Sequence, residues 1–335
     1  MRYLLLLLAP LLFVGCQEKT SNDSVTIYVS EDQVFSEPLL KDFEKETGIK
    51  VNAIYDTEES KSTGVMNRLI AEKNNPQADV YWANEPIRAE VLRQKGILAS
   101  YQSPNAKGIP KQFIQKSFYW TGFSARVRLI VAQEGLSSKP SSILDYANPK
   151  FKAKGVIANP LFGTTTAHLS ALFTLWGEEK TKAFLENLKA NKTAISTSNG
   201  ESADFVASKR YAFSLVDSDD AVSRQNEGKK ITFIYPDQGA NDVGAFVVPN
   251  AVMLLNHAPH PQKGKQLIDY LLSKESEAKL AKADCAQIPL HEGVTAPKAL
   301  KPLNKIKVMP VNFEKVAEKM IEIQPYLKRW IESYE

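Results

Sequence analysis

The sequence predicts an α/β protein with a mostly parallel sheet and helices on both of its faces. Two observations carry that expectation. From Val25 onward, β-rich runs alternate with helical stretches, the pattern of successive βαβ units. Polar turns also recur where those runs end, at the sheet edge where parallel sheets hold their ligands. At 335 residues the chain has room for about two domains.

The first residues stand apart. Met1-Arg2-Tyr3 precedes residues 4–14, which are apolar apart from Pro10, and the run ends at Gly15-Cys16. A spanning helix needs roughly 20 apolar residues, so this shorter run reads as a secretion signal. Val14-Gly15-Cys16 resembles the end of a bacterial lipobox, although Phe13 stands where Leu is usual. Residues 1–16 are therefore expected to be a lipoprotein signal peptide with lipidation at Cys16, and residues 17–24 a polar tether. The other cysteine, Cys285, leaves the mature chain without an intramolecular disulfide, so stability must come from its core. A net charge of +4 is slight and forms no basic block along the chain, which speaks against nucleic acid as a partner.

Residues 25–30 form the first expected strand, closed by the polar turn Glu31-Asp32-Gln33. Ser36 starts a helix whose first turn tolerates Pro38. Leu39, Leu40 and Phe43 share one face of it, and Gly48 stops it. A second strand over 49–55 runs into Asp56-Thr57-Glu58-Glu59-Ser60, and Val65, Met66, Leu69 and Ile70 give the next helix its apolar face. Residues 78–82 are a third strand, with Asn84-Glu85 at its end and Pro86 opening another helix. Residues 119–131 then make one long extended run with a polar centre.

The strand at 155–158 passes through Asn159-Pro160-Leu161-Phe162-Gly163 into Thr164, Thr165 and Thr166, and then into an apolar stretch over 169–176. Unpaired amides and the dipole at such a helix start favour an anion, and the hydroxyls add donors. The plainer alternative is that Thr164 or Thr165 is only an N-cap. No Lys follows the hydroxyls, so this is not a Walker loop. A helix over 178–190, the hydroxyl-rich turn 196–200 with Asn199, and a helix from Glu201 come next. The strand at 211–216 ends in Asp217-Ser218-Asp219-Asp220, three carboxylates that want a cation, donors or open water. Tyr235 ends another strand, 244–253 reads as a returning strand, and helices are expected over 260–272 and 275–282. Two final helical stretches, 312–323 and 326–334, are expected on the outside.

Several segments resemble bacterial extracellular solute-binding proteins of family 1. They are Phe43-Glu44-Lys45-Glu46-Thr47-Gly48-Ile49-Lys50-Val51, Ala78-Asp79-Val80-Tyr81-Trp82, Pro249-Asn250-Ala251-Val252 and Ile288-Pro289-Leu290. With the signal, the resemblance covers nearly the whole chain and has the look of the ferric-iron-binding subfamily. It implies a two-lobed periplasmic-binding-protein-like fold of type II, each lobe a mostly parallel sheet flanked by helices, hinged by crossing strands, with the ligand in the cleft. The first lobe would take 25–122 plus about 243–288, and the second 123–242 plus about 289–335. The run at 119–131 then suits a crossing strand, with Tyr119 and Ser124 near the cleft. The resemblance also implies a monomer that delivers its ligand to an ABC permease of the inner membrane, exported and held at a bacterial membrane, with no cofactor and no catalysis.

Ferric proteins of this type use adjacent tyrosines on a strand-end loop and a histidine or acid in the first loop. Here Asp219 and Asp220 stand where the tyrosines would be, and Asp32 where the histidine would be. Carboxylates are hard ligands, so Asp32, Asp219 and Asp220 form one candidate metal set, with ferric iron as cargo. The favoured expectation is different. Thr164, Thr165 and Thr166 would grip an anionic group, and Asp219, Asp220 or Asp32 would meet a cationic or hydroxyl-bearing end, with Trp82 and Tyr235 as walls; Glu59, Asn84, Glu85, Gly163, Asn199 and Asp217 are further candidate ligand-binding residues. That suits a phosphorylated, phosphonate or zwitterionic solute. An enzyme is the third class, because thiaminase-like enzymes share this architecture and use a cysteine nucleophile. Cys285 has His291 six residues later but no evident base, and is expected to be buried and inert.

Overall fold

The computed structural model describes residues 23–56 and 62–334; the signal stretch, Cys16 and Glu59 lie outside them. The chain first forms β1 (Ser24–Val29), α1 (Gln33–Thr47), β2 (Lys50–Tyr55), α2 (Thr63–Ala71), β3 (Val80–Ala83), α3 (Pro86–Gln94) and the short β4 (Leu98–Ala99). The long β5 (Thr121–Gln133) leads into β6 (Gly155–Ala158), α4 (Gly163–Trp176), α5 (Glu178–Ala190), β7 (Ala194–Ser196), α6 (Asn199–Ala207), β8 (Phe213–Asp217), α7 (Ser218–Asn226) and β9 (Ile231–Ile234). β10 (Val247–Leu255) returns, and α8 (Pro261–Leu271), α9 (Lys274–Lys282) and α10 (Phe313–Glu332) complete the fold.

Local chemistry sets these limits. α1 begins at Gln33, earlier than the expected Ser36, because the Asp32 carbonyl accepts from the Phe35 and Ser36 amides at 3.0 Å each. Pro38 therefore lies beyond the first turn, where it withholds one helical bond. Gly48 ends the helix in the left-handed region, at φ 75°, its amide donating to the Glu44 carbonyl. Glu85 caps α3, its carboxylate accepting from the Ile87 amide at 2.5 Å and the Arg88 amide at 3.1 Å, just ahead of Pro86 at the first helical position.

Strands β2, β1 and β3 pair in parallel, as do β7, β6 and β8. Between these two groups run β5 and β10, antiparallel to each other and to their neighbours. The start of β5 pairs with the end of β10 beside β3, while residues 128–132 of β5 pair with β8. Each strand therefore begins in one lobe and ends in the other, giving a two-lobed α/β fold hinged by crossing strands. The register between them shifts at Pro249/Asn250, where Ser124 takes a positive φ of 39°. Buried polar groups tie this hinge together. Asn250 Nδ2 donates to the Ser124 carbonyl at 2.7 Å and to Gln287 Oε1 at 2.8 Å. The Glu277 carboxylate accepts from the Ser124 and Leu290 amides at 2.7 and 2.8 Å.

The C-terminal segment differs from expectation. It is one helix, α10, with Pro325 inside it. Its buried face, Phe313, Val316, Met320, Ile323, Leu327 and Trp330, follows helical spacing. That face packs on α3 of the first lobe and α4 of the second, so α10 covers the seam between them. Among the described residues, no helix is long and apolar enough to cross a membrane.

Cys285 is 1 % exposed with its thiol toward the Leu280 carbonyl at 3.5 Å, and burial pushes the thiol well above its usual range. Such surroundings favour the protonated, weakly nucleophilic thiol. Cys285→Ser is expected to leave ligand affinity within a few-fold by calorimetry; loss of all function in a folded variant would revive a catalytic cysteine.

Candidate functional site

The C-terminal ends of β1 and β3 face those of β6, β7 and β8 across the crossing strands. Strand β5 supplies the centre. Arg126 and Arg128 are two residues apart and so share one face of the strand.

Arg128 is fully buried. Its Nη1 donates to Thr164 Oγ1 at 3.0 Å, Asn199 Oδ1 at 2.8 Å and Asp217 Oδ1 at 3.2 Å. Its Nη2 donates to Thr165 Oγ1 at 3.2 Å and the Leu215 carbonyl at 3.1 Å. Thr164 Oγ1 in turn donates to Asp217 Oδ2 at 2.6 Å, and Asn199 Nδ2 donates to both Thr164 Oγ1 and Asp217 Oδ2. A buried arginine and a buried carboxylate thus neutralise each other inside a bonded network, the condition under which such charges are tolerated. Thr166 is turned away, donating to the Pro160 carbonyl at 2.7 Å. The threonine loop, expected to be an open cradle for an anion, is instead largely a clamp on Arg128. Gly163 opens α4 at φ 59° and is exposed.

Arg126 is held differently. It is 7 % exposed; its Nη2 donates to the Asn84 carbonyl, its Nη1 stands 3.7 Å from Asp219 Oδ2, and its Nε has no partner. Burial pulls this guanidinium down, but Asp219, Glu31, Asp217 and Asp32 outweigh it and hold Arg126 above the ordinary arginine value. Carboxylate oxygens of Asp217, Asp219 and Asp220 lie within 4.8 Å of one another, at the last residue of β8 and in the first turn of α7. Burial pushes Asp219 up, and Arg126 only partly reverses it. Burial and then the Asp219 and Asp217 charges push Asp220 well above the carboxylate range. Gly200 permits this crowding, since a Cβ there would lie 2.8 Å from Arg224 Nη2 and 3.2 Å from Asp220 Oδ1.

The acidic cluster fits a trivalent ion poorly. Both oxygens of Asp217 are taken by Arg128, Thr164 and Asn199, and a guanidinium stands beside Asp219. The cluster is made of three aspartates, and among the described residues no histidine or cysteine joins it.

The structure therefore brings together Asp32, Asn84, Thr164, Thr165, Asn199, Asp217, Asp219 and Asp220, linked by hydrogen bonds or by their charges to Arg126 and Arg128. Other expectations are corrected. Trp82 is no wall: it is wholly buried, with Nε1 donating to Asn250 Oδ1 at 3.1 Å. Glu85 is occupied as a helix cap and ion-paired to Arg88 at 3.0 Å. Ser124 is buried in the hinge. Tyr119 belongs to the turn before β5, its amide on Gln115 Oε1, at the strand end remote from the cleft. The Tyr235 hydroxyl oxygen accepts from the Lys301 amide at 2.7 Å. The two arginines were missed altogether.

The raised carboxyls predict a pH signature. Asp219 and Asp220 keep protons in the folded chain that the unfolded chain has already released, so ligand-free stability declines as pH rises from about 4 through their raised values. Binding of a cationic group expels those protons, so its affinity should rise over the same window. Calorimetry in buffers of different ionisation enthalpy checks this; an affinity flat from acid to neutral pH would contradict it.

Two α/β lobes, crossing strands and a buried, charged cleft at opposed strand ends define a binding protein that encloses a small solute. Residues 39–307 match the family model for bacterial extracellular solute-binding protein, and the chain belongs to that family. It is the substrate-binding component of an ABC importer. The chain is 26 % identical over 255 residues, 76 % of its length and 73 % of the relative's, to a putative 2-aminoethylphosphonate-binding periplasmic protein of Salmonella typhimurium. It is 24 % identical over 328 residues, 93 % and 94 % of the two lengths, to an Fe(3+)-binding periplasmic protein of Serratia marcescens. The apo ferric ion-binding protein A of Pasteurella haemolytica superposes with a TM-score of 0.81 at 23 % identity, covering 92 % of this chain and 98 % of that one.

Proposed function

We propose that the cleft captures a small zwitterion bearing a phosphonate, phosphate or carboxylate at one end and an ammonium at the other. The observation that carries this reading is the Arg126 guanidinium, buried with Nε unpartnered beside the paired carboxyls of Asp219 and Asp220. A guanidinium offers a fork of donors to an oxyanion, and the carboxyls offer charge to the ammonium. The compound named for the Salmonella relative, 2-aminoethylphosphonate, has both ends. Hydrogen bonds to charged groups contribute about 1.5–3 kcal/mol each, so three or four suffice for micromolar capture. Calorimetry with 2-aminoethylphosphonate, ethylphosphonate and ethanolamine tests it. The zwitterion should bind at least tenfold more tightly than either half, and Asp219→Ala or Asp220→Ala should weaken it at least tenfold. Equal affinity for ethylphosphonate would remove the acidic pole from the reading.

A second reading rests on the three clustered carboxylates and the Serratia relative's ferric ion: a carboxylate-based metal carrier. Native mass spectrometry of the protein as isolated separates the two by mass. The chain is further proposed to do no catalysis, and to be exported and held at the membrane through a lipid on Cys16. Cys16→Ser should make the chain removable from the membrane by a high-salt wash, or block its processing; membrane attachment that resists high salt in the processed variant would sink that assignment.

A further inference from the structure

The lobe built on β6 to β9 has a second charged end, opposite the cleft. Strands β6, β7 and β8 are parallel, and β9, antiparallel to β5 as β8 is, runs with them. All four therefore start at one sheet edge. Backbone bonds fix the adjacency: the Ala153 amide donates to Asn191, Ala212 to Lys154 and Glu134 to Lys230. The turns entering these strands carry Lys152 and Lys154, Lys192, Lys209, and Lys229 and Lys230, all exposed. Among the described residues none of the six is ion-paired. Glu134 and Glu227 are the carboxylates of the same turns. Six lysines and the exposed Arg210, next to Lys209, against two carboxylates give this edge an excess of five positive charges, more than the +4 of the whole chain. The charge is scattered in sequence, so it shows as a block only once the sheet assembles.

We infer that this pole is a docking surface for an anionic lipid bilayer. Lysines act as compact point charges rather than the planar forks that read individual phosphates. The exposed large apolar side chains, Val34, Ile54, Leu144, Phe162 and Ile321, all lie outside these turns. The rings at this edge, Phe205 and Tyr211, are half-buried and covered by the Arg210 guanidinium, 4.4 and 5.8 Å from their centroids. Among the described residues the edge therefore offers no open aromatic platform of the kind that grips single-stranded nucleic acid and no exposed apolar anchor of a protein interface. A diffuse field of mobile cations suits a diffuse anionic surface, where each adds about 1 kcal/mol, or roughly fivefold.

The test uses the processed chain with Ser in place of Cys16, so that no covalent lipid contributes, and vesicles of phosphatidylcholine with or without phosphatidylglycerol. Co-sedimentation should occur with phosphatidylglycerol vesicles only, and be lost at 1 M salt, where the Debye length is about 3 Å. Combined Lys152→Glu, Lys154→Glu and Lys209→Glu should weaken it at least tenfold, leaving melting temperature and 2-aminoethylphosphonate affinity unchanged. Equal binding to both vesicles, undiminished binding by the triple variant, or tighter binding to a single-stranded oligonucleotide than to the vesicles would each overturn the assignment.

Discussion

Arg128→Met is expected to destabilise the protein by about 3–5 kcal/mol, the cost of breaking a buried ion pair from one side. The Arg128 side chain is wholly enclosed and bonds to four side chains and a carbonyl drawn from β8, α4 and α6. Without it, Asp217 keeps its charge in the interior with only Thr164 and Asn199 as donors. Urea unfolding measures the loss. Adding Asp217→Leu should recover much of it, because removing both charges is far less costly than stranding one. A loss below about 1 kcal/mol would mean that the network is not what fixes this lobe.

Arg126→Met should lower affinity for the zwitterion at least a hundredfold, about 2.7 kcal/mol, with little change in stability. The contrast follows from saturation. Both leave Nε without a partner, but Arg128 has both Nη atoms committed to side-chain and carbonyl acceptors, whereas Arg126 bonds only the Asn84 carbonyl and reaches Asp219 at 3.7 Å. Spare donors in a partly desolvated place are what an oxyanion completes. Arg126→Lys should recover only part of the affinity, since an ammonium restores the charge but not the fork. If Arg126→Met binds normally while Asp219→Ala does not, the site prefers a cation and the metal-carrier reading gains.

Most of the fold was legible because its strands and helices announce themselves by period, and their caps by residue type. The acidic turn and the threonine loop were legible as polar residues at strand ends. The arginines were not. Ser124-Ala125-Arg126-Val127-Arg128-Leu129 alternates as a half-exposed strand would, and on such a strand the cations would be solvated. Only the pairing of β5 with β8 on one side, and with β10 and then β9 on the other, makes their surroundings interior. Trp82 misled for a related reason. It stands where strand ends carry ligand-binding residues, yet its indole is satisfied by Asn250, 168 residues away, a distance no local pattern encodes. The span of α10 was hidden too, because Pro325 reads as a break and the helix continues through it.

That continuous helix gives the molecule an optical gauge of its own movement. The first turn of α10 meets the first lobe, with the Phe313 ring 5.9 Å from that of Trp120 and Glu314 paired with Arg93. Further along, Tyr326 lies 6.0 Å from Phe173 of the other lobe. Rotation of one lobe against the other must slide one of these attachments. The first is the lighter, since Leu327, Trp330 and Tyr334 fasten the far end, where Tyr334 also bonds to the Thr193 carbonyl. Trp120, whose indole N–H is held by Glu90 at 2.9 Å, sits at the sliding end. Its emission should therefore follow the angle between the lobes without any attached dye, and stopped-flow fluorescence could time the motion directly.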